Sequence, residues 1–287
     1  MLGVGRLLEP VMPGWASAIV QGGSFLVVGL FAALYAFQEK ILYVPVIPGV
    51  PNEYTEVPSD YGLQYNNEYL TAEDGVRLQC WFIAAQNPRS AKPPVMLFLQ
   101  ENAGNMSHRT PLFAALSARL RCAIFVLGYR GYGQSEGSPS QAGLELDSAA
   151  ALSHLLQRTD IDTSRIVVFG RSLGGAVAIH LAAKAQASLR AVMVENTFTS
   201  VEDMAPKMLP VLKPFIGSRK PLNFLVRNKW RSADAIQLIT KIPMLMFASA
   251  RVRPSARWFC EARIQARIAS AWLWLVWQLL LACSRRG

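Results

Sequence analysis

Short apolar runs alternate with longer amphipathic segments over most of the chain. The runs predict strands at 76–83, 94–100, 122–127, 165–170, 191–194 and 242–247, the first with apolar and polar residues in alternation. The segments between them predict helices at 108–121, 144–158 and 174–185. Because strands that alternate with helices pair in parallel, this order predicts an α/β domain with a mostly parallel sheet covered by helices on both faces. Residues 199–235 interrupt the alternation and are interpreted as a partial cap.

The chain begins with a long uncharged stretch. No charged residue occurs from Pro10 to Gln38, and 15–37 is a run of 23 mostly apolar residues. A helix of that length crosses about 30 Å of hydrocarbon, so the run predicts one transmembrane helix within an anchor at 1–40. The alternative is a cleaved signal peptide, whose apolar core would be shorter and would end at small residues. We expect a single-pass protein of the plasma membrane or an endomembrane.

The last part of the chain, 251–287, differs in composition. Its seven Arg and one Glu contribute +6 of the net charge of +10, which leaves +4 for all other residues. Because no basic stripe runs through the rest of the chain, nucleic-acid binding is not expected. The Trp-rich stretch at 271–283 is too short to span a bilayer and fits either an interfacial segment or a disordered or non-native end. We predict an α/β domain at 41–250 and an atypical Arg- and Trp-rich tail at 251–287.

The cysteines do not indicate a metal site or a disulfide framework. Cys80, Cys122, Cys260 and Cys283 are widely separated and form no CxxC pair. Cys80 and Cys122 lie inside strand-like runs and are predicted to be buried thiols. Neither a metal nor a cofactor is predicted.

The most informative motif is Gly-Arg-Ser-Leu-Gly at 170–174, which joins a predicted strand to a predicted helix rich in small residues. In a nucleophile elbow the chain makes a sharp, strained turn, and glycines two residues before and after the serine allow close packing. The hydroxyl of Ser172 would project beyond the carboxyl edge of the sheet at a helix N-terminus. Ser172 is therefore the candidate nucleophile.

Backbone N–H groups near Ser172 would form an oxyanion hole. The first belongs to Leu173, the residue after the nucleophile, and the second comes from a loop that follows an earlier strand. The loop at 100–105 follows a predicted strand and holds small, turn-forming residues, so we assign the second donor to the backbone of Asn102. The alternative is an ordinary polar turn. A glycine-rich stretch at 128–137 fits neither phosphate-binding fingerprint and is interpreted as a structural turn with Arg130 paired internally.

The sequence offers no partner that would activate the serine. A serine nucleophile needs a base, and in this fold the acid and then the histidine follow the serine along the chain. No Asp occurs after Asp234 and no His after His180. The histidines, all expected on helices out of reach of Ser172, are His108, His154 and His180. Glu195 follows a predicted strand and is a weak alternative acid, with no histidine to orient.

Five motifs together resemble one family. They are FQEK at 37–40, QENAGN at 100–105, YRGYG at 129–133, GRSLGG at 170–175 and ENTFTS at 195–200. Residues 15 to about 249 resemble the membrane-anchored α/β hydrolases that include the plant wavy-growth proteins and α/β-hydrolase domain-containing protein 13. The resemblance implies an α/β-hydrolase fold and a serine hydrolase acting on esters or thioesters, with lipidated (S-acylated) proteins as a substrate class.

Two interpretations of the function follow. The first is a membrane-anchored ester or thioester hydrolase that uses Ser172, although this chain holds neither acid nor base and its activity is expected to be impaired. The second is a catalytically inactive membrane-anchored binding or regulatory protein that arises from a truncated or alternative C-terminus. The strand and helix that usually end the fold are absent from the pattern after residue 250, which would expose a sheet edge.

Overall fold

Seven strands form one sheet in the computed structural model of the protein, which describes residues 28–29 and 31–248. The strands are β1 (Tyr65–Thr71), β2 (Arg77–Ile83), β3 (Val95–Leu99), β4 (Ala123–Leu127), β5 (Ile166–Arg171), β6 (Ala191–Glu195) and β7 (Met244–Phe247). Their order across the sheet is β1-β2-β4-β3-β5-β6-β7. Strand β2 is antiparallel to both β1 and β4, and the other neighbours are parallel. The predicted mostly parallel sheet is confirmed.

The helices follow the predicted alternation with small shifts. They are α1 (31–42), α2 (Thr110–Leu120), α3 (Gln141–Leu156), α4 (Leu173–Ala185), α5 (Val201–Met208) and α6 (Ser232–Ile236). Helix α3 begins three residues before its predicted start because the Ser140 hydroxyl accepts a hydrogen bond from Gly143 N at 3.1 Å and caps the first turn. Helix α2 begins after a 3-10 turn at Met106–Arg109, which takes His108 out of the predicted helix.

Alternate residues of the central strands face opposite sides of the sheet. Leu97 and Leu99 of β3 belong to an apolar core shared with residues of α3 and α4. Met96 and Phe98 belong to a second core on the other face, which includes Phe113 of α2. Because every residue of β3 is buried between these two cores, its sequence is a continuous apolar run. Helices therefore cover both faces, as predicted.

Two expectations about the first strands were wrong or incomplete. The predicted alternation in 76–83 is wrong, since six successive residues of β2 are buried. This strand lies inside the sheet between β1 and β4, and both of its faces are covered. Strand β1 was not predicted because its sequence, YNNEYLT, is largely polar and leaves most of its side chains partly or fully exposed at the sheet edge.

The described residues hold only part of the two chain ends. No helix within 28–29 and 31–248 is long and apolar enough to span a membrane. Much of the predicted transmembrane run at 15–37 lies outside the described residues, as do the tail at 251–287 and the predicted loss of the final strand and helix. The anchor, the tail and the incomplete C-terminal end of the fold therefore stay predictions. Among the described strands, β7 lies at the edge of the sheet.

Two of the four cysteines lie within the described part of the chain. Cys80 and Cys122 are both buried, as predicted. Burial raises the pKa of the Cys80 thiol well above its ordinary value, because the charged thiolate is poorly solvated there. This thiol is therefore a packing residue of β2.

Candidate active site

The turn between β5 and α4 has the geometry of a nucleophile elbow. Ser172 adopts φ 52° and ψ −115°, a backbone conformation that is strained for a residue with a side chain. Two hydrogen bonds hold it there: Ser172 N donates to Glu195 O at 2.9 Å, and the Thr197 hydroxyl donates to Ser172 O at 2.8 Å. The strained residue is thus fixed by main-chain and side-chain contacts from the end of β6.

The two glycines of the motif are required by close backbone approach. A Cβ atom on Gly170 would lie 2.0 Å from the carbonyl oxygen of Gly174. A Cβ atom on Gly174 would lie 2.0 Å from the carbonyl oxygen of Leu99 at the end of β3. No side chain fits at either distance. The positions of the two glycines therefore reflect the close backbone contact of three elements, β5, α4 and β3.

Ser172, Leu173 and Asn102 line one cavity of about 540 Å³. Its other walls come from one side of α1 and from the cap, by which we mean residues 199–235. None of the described residues that line the cavity is charged, and most are apolar. The volume lies within the range of about 300–1,000 Å³ that is common for small-molecule sites. The interpretation of 199–235 as a partial cap agrees with this arrangement.

The two residues whose backbone N–H groups are assigned to the oxyanion hole, Leu173 and Asn102, line the same cavity as Ser172. Leu173 is the first residue of α4, so its N–H has no acceptor within the helix, and the positive end of the helix dipole lies there. Asn102 lies in the loop that follows β3, the strand next to β5. The structure thus brings together all three residues, and their catalytic roles stay predictions.

The side chain of Asn102 ties this loop to the end of α1. Its Nδ2 donates to Leu42 O at 2.6 Å, and its Oδ1 accepts from Val44 N at 3.2 Å and from the Tyr132 hydroxyl at 2.8 Å. A further bond joins Gly104 N to Val44 O at 3.0 Å. Sequence patterns did not predict this brace, because its partners at the end of α1 lie 58 and 60 residues away and no local pattern marks them.

Arg109 holds the other side of the same loop. Its guanidinium donates to Asn105 O at 2.8 Å and to Ala103 O, and its Nε lies 3.3 Å from the Glu101 carboxylate. Arg109 is almost fully buried, so these contacts compensate for the loss of water around its charge. The loop that carries Asn102 is therefore restrained from two directions before any ligand binds.

Glu195, the weak alternative acid, lies beside the elbow. Its Oε2 accepts from Arg171 Nη2 at 2.8 Å and from Arg171 Nε at 3.0 Å. Both residues are partly exposed. The carboxylate thus pairs with the arginine that precedes the nucleophile, and among the described residues no imidazole contacts it.

The three histidines have partners away from the nucleophile. His108 Nδ1 accepts from Asn105 N at 3.3 Å. His154 Nε2 lies 2.9 Å from Glu68 Oε2, and its ring stacks on Phe125. His180 Nδ1 lies 3.4 Å from Glu145 Oε1. Within residues 28–29 and 31–248, no histidine makes a hydrogen bond with Ser172, so the described part of the chain supplies no imidazole base to the site.

Arg130 is paired internally, as predicted for the glycine-rich turn. Its Nε donates to Asp147 Oδ1 at 2.8 Å, and its Nη1 donates to Asp74 Oδ2 at 2.6 Å. The hydrogen bond from Arg130 lowers the pKa of Asp74, whereas burial raises the pKa of Asp147. These contacts make the turn a structural element that joins β4 to α3.

Comparisons with known proteins agree with this geometry. Residues 102–285 match the sequence model of the alpha/beta hydrolase family. The chain belongs to the α/β-hydrolase family. The matched residues include Asn102, Ser172 and Leu173, and they extend into the Arg- and Trp-rich segment. The family expected from the five motifs is thereby confirmed.

Three relatives and one solved structure illustrate the similarity. The chain is 49% identical over 242 residues to the alpha/beta hydrolase domain-containing protein WAV2 of Arabidopsis thaliana, which covers 83% of this chain and 78% of that protein. It is 36% identical over 219 residues to protein bem46 of Schizosaccharomyces pombe, covering 76% and 71%. Its identity to YNL320W of Saccharomyces cerevisiae, named as an uncharacterized membrane protein, is 35% over 184 residues, covering 64% and 63%. The esterase Pf2001 of Pyrococcus furiosus superposes with a TM-score of 0.54 at 16% identity, covering 83% and 98%, which shows a shared fold.

Proposed function

We propose that the protein is a membrane-anchored serine hydrolase in which Ser172 attacks an ester or thioester of a hydrocarbon acyl chain. One observation carries this proposal. The strained serine, the first N–H of α4 and the loop of Asn102 meet on a single uncharged, mostly apolar cavity. A charged or strongly polar substrate would lose hydration in such a cavity without gaining partners, whereas an alkyl chain would gain from burial.

The chemistry assigned to the site is acyl transfer. The Ser172 hydroxyl attacks the acyl carbonyl carbon and gives its proton to hydroxide from the solvent, and the N–H groups of Leu173 and Asn102 donate to the oxygen that becomes negative. The carbonyl then re-forms as the bond to the alcohol or thiol breaks, and the leaving group takes a proton from water. Water hydrolyses the acyl-serine and releases the acid. The apolar walls hold the acyl chain and so orient its carbonyl carbon.

S-acylated proteins are the substrate class that we favour. Their acyl chain is a long hydrocarbon, which suits the apolar cavity. The chain is joined to the protein by a thioester, a bond that a serine nucleophile can attack. Such substrates reside at membranes, and we assign 15–37 as a membrane anchor from its length and lack of charge. The name of the yeast relative, a membrane protein, supports that assignment.

A second candidate function is an acyl-binding protein with very slow turnover. It is favoured by the partners of the three histidines, none of which is Ser172, and by the pairing of Glu195 with Arg171. Without a base the serine hydroxyl is a weak nucleophile at neutral pH, and only the oxyanion hole and substrate binding accelerate the reaction. The two candidates share one site and differ in rate.

Labelling by a fluorophosphonate tests the nucleophile. The 287-residue protein is treated with the reagent, and modification is followed by intact mass and peptide mapping. We expect slow labelling of Ser172 whose rate rises roughly tenfold per pH unit from about pH 7 to 9, because hydroxide is the available base. A histidine-assisted serine would instead reach a plateau above the imidazole pKa of about 6.5.

Two variants and one relative serve as controls. Ser172→Ala should abolish the labelling, and Ser188→Ala, which changes a half-buried serine beyond the far end of α4, should not. The Arabidopsis relative, treated with the same reagent, gives the labelling rate of a related chain for comparison. Labelling that persists in Ser172→Ala would contradict the assignment of the nucleophile. A plateau at neutral pH would contradict the expected lack of a base.

A further inference from the structure

Large exposed apolar side chains are concentrated at one end of the cap. Met208, Val211 and Phe224 are 67%, 66% and 71% exposed. Leu209 and Phe215 of the same segment are exposed as well. We call residues 207–224 the cap tip. An apolar patch of this kind on a protein surface usually marks an interaction site, whereas single exposed residues such as Leu156 need no explanation.

The same segment is strongly basic. Residues 207–224 hold four Lys or Arg residues and no Asp or Glu. Lys213, Arg219 and Lys220 are exposed, and within the described residues no ion pair joins any of them to an acid. Exposed cations and exposed apolar side chains in one segment match the surface of an anionic bilayer, in which phosphates lie above hydrocarbon.

Helix α1 lies next to the cap tip and continues from the uncharged N-terminal stretch. The rings of Phe31 and Phe215 meet edge to face at 5.2 Å between centroids. Gln38 Nε2 donates to Leu225 O at 3.2 Å, so the last turns of α1 are also bound to the cap. Because the uncharged stretch extends to Gln38, a membrane anchor would bring the cap tip to the bilayer surface.

We propose that the cap tip and the exposed apolar side chains of α1 insert into the interface of a bilayer that contains anionic lipids. These side chains of α1 are Tyr35, Phe37 and Ile41, and two of them are aromatic, which suits the interface. A protein partner would be expected to match the cap cations with acids at fixed positions. A lipid surface requires only protruding apolar groups together with exposed cations such as Lys213, Arg219 and Lys220.

This docking would place the entrance of the cavity at the bilayer. Tyr35, Ile41, Met208 and Leu209 line the cavity and are also exposed, so they form its rim between α1 and the cap. An acyl chain could then pass from the membrane to Ser172 without crossing water. This consequence rests on the proposed hydrolase activity, whereas the docking itself rests only on the proposed membrane anchor and the surface of the cap tip.

Fluorescence quenching in vesicles tests the docking. The full chain, with Cys260 and Cys283 replaced by serine, receives one new cysteine carrying an NBD fluorophore and is reconstituted into phosphatidylcholine–phosphatidylserine vesicles. The labelled variants are Val211→Cys, Phe224→Cys and the control Leu156→Cys, an exposed leucine at the end of α3. Fluorophores at 211 and 224 should lose roughly half of their emission to doxyl-labelled lipids, since interfacial segments lie about 5–10 Å below the headgroups.

The outcomes separate docking, anchoring and catalysis. Charge reversal of Lys213, Arg219 and Lys220 together should reduce quenching at 211 and 224, and vesicles without phosphatidylserine should do the same. The protein could float with the vesicles while fluorophores at positions 211 and 224 are quenched no more than the control at position 156. That result would overturn the docking and would still support the anchor. A blue shift that rises with protein density and resists doxyl lipids would indicate a second copy and would also overturn it. Ser172 labelling in the same vesicles reports separately on the proposed function.

Discussion

Replacing Asn102 by alanine removes three hydrogen bonds and leaves the backbone N–H of the loop in place. Two of these bonds join the loop to the chain at the end of α1, and the third joins it to Tyr132. The net contribution of one hydrogen bond is about 0.5–1.5 kcal/mol, so the three together contribute roughly 1.5–4.5 kcal/mol. Asn102 is half-buried, and water can replace part of this, so we expect a loss of roughly 1.5–3 kcal/mol in the free energy of unfolding.

The same substitution should impair the oxyanion hole more than it impairs ligand binding. Removing one oxyanion donor from a hydrolase costs about 10²–10³ in rate, and a donor that is displaced but present should cost less. We expect the fluorophosphonate labelling rate of Ser172 to fall at least about tenfold, while the affinity for a long-chain alcohol changes less than about twofold. Tyr132→Phe removes one of the three bonds and should lie between the parent chain and Asn102→Ala.

The control for this series is Asn66→Ala, which changes an exposed asparagine on β1. It should change the free energy of unfolding by no more than about 0.5 kcal/mol, as is usual for surface substitutions. The labelling rate should change by less than about twofold. If Asn102→Ala keeps both the unfolding free energy and the labelling rate of the parent chain, the side chain does not position the loop. Equal losses in labelling and in alcohol affinity would indicate a general collapse of the cavity.

Three further substitutions give independent tests. Gly174→Ala places a Cβ 2.0 Å from the carbonyl oxygen of Leu99 and should lower the free energy of unfolding, measured in urea, by at least about 3 kcal/mol. A loss below about 1 kcal/mol would refute the close packing. Ala205→Phe should lower the affinity for a long-chain alcohol roughly tenfold by filling the cavity, whereas the exposed control Ala187→Phe should not; equal affinities would place the alkyl chain elsewhere. Hydrogen bonding from His180 lowers the pKa of Glu145 from 4.5 to about 2, so its stabilisation is present above pH 4.5 and lost as pH falls towards 2. Glu145→Gln should therefore flatten the decline of stability over that interval, and an unchanged decline in acid unfolding would contradict the linkage.

The local patterns around Ser172 were sufficient to predict the sharp, strained turn between β5 and α4. Gly170 and Gly174 flank Ser172 because the backbones of three elements touch there. Each glycine is only two residues from the serine, so a short sequence motif is enough to indicate this packing. The buried strands β3 to β6 were likewise readable, since a strand covered on both faces must be apolar throughout. Strand β1 was not readable, because an edge strand with exposed side chains satisfies its backbone through pairing and needs no apolar pattern.

The sequence by itself determined the family, the sheet with helices on both faces, the position of Ser172 and the absence of Asp after residue 234 and of His after residue 180. These are properties of neighbouring residues or of periodic burial, so one-dimensional patterns contain them. Only the tertiary structure decided that α1 and the cap enclose one cavity with Ser172, and that Asn102 joins the loop after β3 to Leu42 and Val44. Those contacts join residues far apart along the chain, and packing and hydrogen bonding between such residues depend on the folded geometry.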